Sequence, residues 1–266
     1  MHCYEFSDGL RYKCPDCDRI FSVLVGTIFE NTKIPLRKWF VAMYLLACHG
    51  KGISSVQLSR DLGITQKSAW YMLQKLRRTF QSENGAVLGN DVECDETYIG
   101  GREINKHECK RTKENRGRSV KVKTPVFGMV ERGGSVVAKQ VEDTSSKMLQ
   151  SVMGNYILPK SRVMTDEWVA YRNVERLGYT HAYVRHKEKE FTIGDVSTNT
   201  IEGFWAILKK MLLGTYHAVS AKHLQRYVDE AVFRYNHRDK CASARFGIIF
   251  NNAIGRHTYE DVRAAA

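Results

Sequence analysis

Three acidic residues stand out by type and setting. Asp95 sits inside Val-Glu-Cys-Asp-Glu-Thr-Tyr, Asp166 ends Arg-Val-Met-Thr-Asp, and Glu202 lies in Asn-Thr-Ile-Glu-Gly-Phe-Trp. Between them lie 70 residues and then 35. The first two segments read as strands. The third reads as a helix, because Ile201, Phe204, Trp205, Leu208, Met211 and Leu212 recur at helical spacing. Carboxylates at strand ends can converge across a sheet, and a helix packed beside them can add a third. Hard oxygen donors of this kind suit Mg²⁺ or Mn²⁺. Two such ions about 4 Å apart can clamp the attacking and leaving oxygens of a phosphoryl transfer. A single aspartate on a strand is ordinarily a cap or loop residue. Three acids in these elements, in a basic chain, point to metal-assisted chemistry on a polyanion.

Other residues could hold a metal or nucleic acid. Cys14-Pro15-Asp16-Cys17 is half of a zinc ribbon, since thiolates at this spacing can reach one tetrahedral Zn²⁺. The second pair is missing. Either His2 and Cys3 complete an unusual site, or the chain begins inside a ribbon whose first knuckle is lost; the bland reading is two free cysteines. Residues 53–80 read as a helix-turn-helix, with Gly63 in the turn and Thr65 capping the second helix. Ser68, Tyr71, Gln74, Lys75, Arg77 and Arg78 then supply a polar, basic face for a DNA groove, early residues near bases and later cations near phosphates. Lys106, Lys110, Arg111, Lys113, Arg116, Arg118, Lys121 and Lys123 fall in a long polar loop after Asp95, where phosphate contact is expected.

The elements that must position these groups form two textures. Up to about residue 80 the chain is short-turned and then helical, with helices over residues 36–49, 54–61 and 65–80. Residues 81–90 look like a linker. Beyond them the order is strand, strand, strand, helix, strand, helix, strand, helix. The strands cover residues 92–99, 126–131, 136–141, 162–165 and 183–185. The helices cover residues 145–156, 168–177 and 199–213, and a further helix covers 223–237. This is an α/β plan with a mixed sheet, the element order of the RNase H-like fold. From residue 239 the pattern weakens into a tail.

Charge and composition narrow the partners. The 266 residues carry 41 Lys and Arg against 29 acids, a net charge of +12. A globular chain this basic ordinarily meets nucleic acid. With 43% hydrophobic residues it can bury a real core, which excludes global disorder. The longest apolar run, residues 39–48, is about half the roughly 18–20 residues a membrane span needs. No signal-peptide pattern opens the chain, and its scattered cysteines fit a reducing cytoplasm.

Residues 26–40 (Gly-Thr-Ile-Phe-Glu-Asn-Thr-Lys-Ile-Pro-Leu-Arg-Lys-Trp-Phe), 95–101 (Asp-Glu-Thr-Tyr-Ile-Gly-Gly) and 199–205 together resemble bacterial insertion-sequence transposases of the ISXO2-like type. The resemblance covers nearly the whole chain. It implies a partial zinc ribbon over residues 1–30 and a helix-turn-helix DNA-binding domain over 31–82. An RNase H-like DDE catalytic domain over 88–240 and a C-terminal tail over 241–266 follow. It also implies cleavage and strand transfer at an element's terminal inverted repeats with Mg²⁺ or Mn²⁺, by a homo-oligomer on terminal-repeat and target DNA in the bacterial cytoplasm at the nucleoid. Asp95 and Asp166 would be the first two ligands. Alignment leaves Asn199 or Glu202 as the third; charge and spacing favour Glu202. Lys209 follows two turns later on the same face, where it could meet the DNA phosphate. Two other readings stay open: an inactive or domesticated DNA-binding derivative, and a nuclease that cuts without joining.

Overall fold

The computed structural model describes residues 3–7, 9, 11–101, 107–110, 123–166, 169–171, 174–184 and 196–264. The elements run β1 (Tyr4–Glu5), β2 (Arg11–Lys13), β3 (Ile20–Ser22), α1 (Leu36–Cys48), α2 (Ser55–Leu62) and α3 (Gln66–Arg78). They continue with β4 (Asp91–Ile99), β5 (Thr124–Glu131), β6 (Val136–Gln140), α4 (Ser146–Tyr156), β7 (Arg162–Asp166) and β8 (Thr180–Val184). The last four are α5 (Asn199–Met211), α6 (Ala221–Asn236), α7 (Ala242–Asn251) and α8 (Tyr259–Arg263). Two compact units result, one of residues 1–49, 55–79 and 241–265, the other of residues 50–54 and 80–240.

In the first unit, β1, β2 and β3 form a small antiparallel sheet. The knuckle cysteines occupy the β2–β3 turn, where the Asp18 amide donates to the Cys14 carbonyl at 3.0 Å. α1 buries Trp39, Ala42, Met43, Leu46 and Ala47, while Phe40 is left exposed. The turn between α2 and α3 passes through Gly63 at φ +56°, a conformation that is cheap only without a Cβ. Thr65 caps α3 by accepting the Ser68 N–H at 3.2 Å.

The stretch expected as a tail is two helices of this same unit. α7 packs on α1, with Phe250 and Phe40 ring centroids 5.9 Å apart, and α8 packs on α3, with Tyr259 and Tyr71 at 5.8 Å. Ile249 and Val262 are fully buried. The segment looked weakly patterned because each helix contributes few apolar residues to a core that α1 and α3 largely supply. A capping box of Thr258 and Asp261 fixes the start of α8.

The second unit is built on a five-stranded sheet in the order β6-β5-β4-β7-β8. β5 is antiparallel to both β4 and β6, while β4, β7 and β8 run parallel. Numbered within the sheet this is 3-2-1-4-5 with only the second strand reversed, the RNase H-like arrangement the element order predicts. The strand period separates two cores. Val92, Cys94, Phe127 and Met129 pack with Leu149, Met153 and Tyr171. Val126, Val130 and Ala138 pack on the opposite face with Ile201, Phe204 and Leu208 of α5 and Val228 and Val232 of α6.

Two expectations change here. Residues 81–90 are not a loose linker. Gln81–Gly85 forms a 3₁₀ turn whose Asn84 is buried and pairs both ways with the Ala138 backbone (2.6 and 3.0 Å), closing the outer edge of β6. The helix expected over 168–177 is two 3₁₀ turns, Val169–Tyr171 and Val174–Leu177, and Trp168 lies outside the described residues. Among the described residues no helix is long and apolar enough to cross a membrane.

Candidate active site

Register alone brings the two aspartates together. Glu93 of β4 pairs with Met164 of the parallel strand β7, so two residues further on Asp95 is level with Asp166. Neighbouring strands lie about 4.8 Å apart, and both residues fall on the face covered by α5. Asp95, Asp166, Glu202 and Lys209 all line one cavity of about 450 Å³, together with Glu96, Thr97, Thr198, Trp205 and Ala206. Asn199, the alternative third ligand, is exposed at the start of α5 and is not among the wall residues.

Asp95 is an acid under electrostatic load. Burial and then the facing Asp166 push its pKa up to about 6, and Glu202 adds to the push. Hydrogen bonds from the Glu96 backbone and the Trp205 indole oppose it. The indole Nε1–H donates to Asp95 Oδ2 at 3.0 Å. Glu202 leans toward its own helix start, where the Thr198 hydroxyl donates to Oε1 at 3.2 Å. Among the described residues no three His, Cys, Asp or Glu side chains are gathered closely enough to hold an ion as they stand.

The helix that carries Glu202 is anchored by a residue the sequence reading missed. Thr198, the N-cap, makes no side-chain cap bond, so the first amides of α5 need another acceptor. Glu93 supplies it from the sheet. Its carboxylate accepts the Thr200 N–H (2.8 Å), the Ile201 N–H (3.1 Å) and the Thr200 hydroxyl (2.9 Å). Arg132 pairs with Glu93 at 2.7 Å and also donates to the Ser197 carbonyl and hydroxyl. An anion at a helix N-terminus also meets the favourable end of the helix dipole. The signal was in the sequence: Glu93 and Asp95 are two apart on a strand and so share a face.

The α3 residues expected to face a DNA groove fare differently. Ser68 and Tyr71 are part-exposed, and Arg78 binds His257 Nδ1 at 2.7 Å. Lys75 and Arg77 are buried, which corrects the expectation that they meet phosphates. Lys75 donates to the Ile28 carbonyl at 2.8 Å and sits over the Tyr71 ring at 5.1 Å. Burial lowers its pKa. α3 is covered on more sides than its own periodicity predicts, because residues near 28 and 257 fold over it. Exposed polar side chains on this helix pair are instead Gln57, Arg60, Asp61, Gln66 and Lys67. In the basic stretch after Asp95, Arg111 and Arg116 lie outside the described residues, as do Lys106, Lys113, Arg118 and Lys121. Lys110 closes a 3₁₀ turn, Glu108–Lys110. At the knuckle, the Cys17 and Asp16 amides hold the Cys14 thiol below its usual pKa.

Residues 87–236 match the family model of the ISXO2-like transposase domain. An uncharacterized protein in transposable element ISH50 of Halobacterium salinarum is 31% identical over 229 residues, covering 82% of this chain and 76% of that one. Among solved structures, the HTLV-2 integrase catalytic core domain in complex with magnesium aligns with a TM-score of 0.35 and 14% identity, over 62% of this chain and 98% of that one. The Mos1 strand transfer complex aligns with a TM-score of 0.31 and 12% identity, over 84% of this chain and 81% of that one. By the family match and the shared sequence, this chain belongs to the ISXO2-like transposases.

Proposed function

We propose that the chain cuts the terminal repeats of an insertion sequence and joins them to target DNA by divalent-metal-assisted phosphoryl transfer at Asp95, Asp166 and Glu202. The observation that carries this reading is the convergence of those three carboxylates and Lys209 on one cavity. The donor set fits hard cations: three carboxylates share a wall, and the burial and neighbouring Asp166 charge that lift Asp95 are offset when a cation binds. Glu202 would reach an ion by turning away from Thr198 within the cavity. Bound there, Mg²⁺ or Mn²⁺ would supply Lewis-acid stabilisation of the attacking and leaving oxygens. The chain does the rest. Glu93 and Arg132 fix the start of α5, α5 presents Glu202 toward the two strands, and Lys209 offers a cation to the phosphate of the reacting end.

DNA is held, in this reading, by α2 and α3 as a helix-turn-helix. Ser68 and Lys67 lie near the α3 N-terminus, toward base edges, and Arg60 lies toward phosphate. Part-exposed Tyr71 and Arg78, with Lys110, Arg111 and Arg116 of the basic loop, extend the contact, and two or more copies act together on the paired ends. Cys14 and Cys17 supply two of the four ligands a structural Zn²⁺ takes.

The test is a cleavage assay on end DNA across a Mg²⁺ titration. Asp95→Asn, Asp166→Asn and Glu202→Gln should each lose at least about a hundredfold in cleavage while binding end DNA nearly as wild type, because metal positioning is lost and the helix pair is untouched. Asn199→Ala should stay within about fivefold, since its side chain is outside the cavity. An active Glu202→Gln beside a dead Asn199→Ala would reverse the choice of third ligand.

A further inference from the structure

A glycine in mid-strand needs a reason. Gly128 interrupts Val-Phe-Gly-Met-Val in β5, where glycine costs about 0.5–1 kcal/mol against alanine and marks close approach of another group. Its cross-strand partner in the register is Asp95. A Cβ placed on Gly128 would lie 2.5 Å from two ring carbons of Trp205 and 3.0 Å from Ile201. The missing side chain is therefore a slot, and the Trp205 ring fills it. Trp205 is 3% exposed, so its N–H has to find a partner inside the protein. The partner is Asp95 Oδ2 at 3.0 Å.

We infer that Trp205 and Gly128 form one positioning device that holds the Asp95 carboxylate in a single orientation for the catalytic ions. This rests on the metal-binding reading above. The indole occupies one oxygen of Asp95 and leaves the other for the cavity shared with Asp166. Glu202 lies one turn earlier on the same helix. The seat of the indole on Gly128 thus sets the distance of Glu202 from the strand face that carries Asp95. In this role Trp205 acts through Asp95. The same ring also packs with Phe204 at 5.2 Å, so a purely packing role is the rival explanation.

Mn²⁺ binding by the full chain, read by calorimetry and electron paramagnetic resonance, separates the two. Trp205→Phe keeps an aromatic ring in the slot but removes the N–H and shrinks the side chain. It should weaken Mn²⁺ binding about ten- to a hundredfold, the usual loss for a group that orients a ligand. Gly128→Ala keeps the indole but displaces it, and should weaken Mn²⁺ binding similarly. In the Trp205→Phe background the smaller ring tolerates the alanine, and Gly128→Ala should add less than about threefold. Wild-type Mn²⁺ affinity in Trp205→Phe, or full additivity of the two substitutions, overturns the device while leaving the metal site standing. No Mn²⁺ binding by the wild-type chain overturns the metal reading and this inference with it.

Discussion

Asp95 is held in a fold that prefers it neutral. Its pKa of about 6 lies above the 3.8 of a free aspartate, so the unfolded chain releases this proton more readily than the folded one. The sign follows from linkage. The favourable contribution is complete below about pH 3.8 and is lost as pH rises through about 6. At neutral pH the ionised carboxylate costs at most about 3 kcal/mol, and solvent access trims this to about 1–2 kcal/mol. Asp95→Asn removes the charge and keeps an acceptor for Trp205. It should therefore melt about 3–6 °C above wild type at pH 7.5 without divalent ions, and the advantage should vanish near pH 4. Added Mn²⁺ should raise the wild-type melting temperature and leave the variant's unchanged. A variant less stable than wild type at pH 7.5 would show that Asp95 is structurally needed as an anion.

A polar coupling between elements runs from β4 through Glu93 to α5. Glu93 is fully buried and Arg132 is 26% exposed, so the pair is well shielded. Removing the carboxylate strands Arg132 and leaves two helix amides without their acceptor. Glu93→Ala should lower unfolding free energy by about 3 kcal/mol in a urea titration. It should also reduce cleavage, because Glu202 loses its fixed helix. Retained cleavage would break the link from anchor to ligand. Elements of this kind were partly legible. Strand alternation around Asp95 and helical spacing around Glu202 are local patterns, so they could be read from the chain. The contacts of Glu93 with α5 and of Trp205 with Asp95 span 107 and 110 residues, and only register and packing create them. The buried cations of α3 were misread for the same reason. Lys75 meets a carbonyl 47 residues away, and local periodicity cannot see what covers a helix.

Over the whole molecule, the chain builds most of its first unit by residue 79, forms the five-stranded sheet of the second unit over residues 80–240, and returns to the first unit after residue 240. The region that should read DNA is therefore completed by the last part of the chain. Ending the chain at residue 240 removes α7 and α8. That deletes the buried side chains of Ile249, Ala253 and Val262 and uncovers Phe40 and Tyr71. Each buried aliphatic side chain lost costs about 1.5–3 kcal/mol, enough together to undo a unit of this size. The sheet of the second unit loses nothing, since residues 80–240 are intact. The shortened chain should therefore bind end DNA at least about tenfold more weakly at moderate salt, with its preference for end sequence over random DNA gone. Residual binding should persist and stay steeply salt-dependent, because cations elsewhere in a chain of charge +12 remain. Its Mn²⁺ affinity should stay within about threefold of the full chain. Equal end-DNA affinity in the two chains would place DNA recognition outside the first unit, whereas loss of Mn²⁺ binding would show that the catalytic sheet depends on the closing helices.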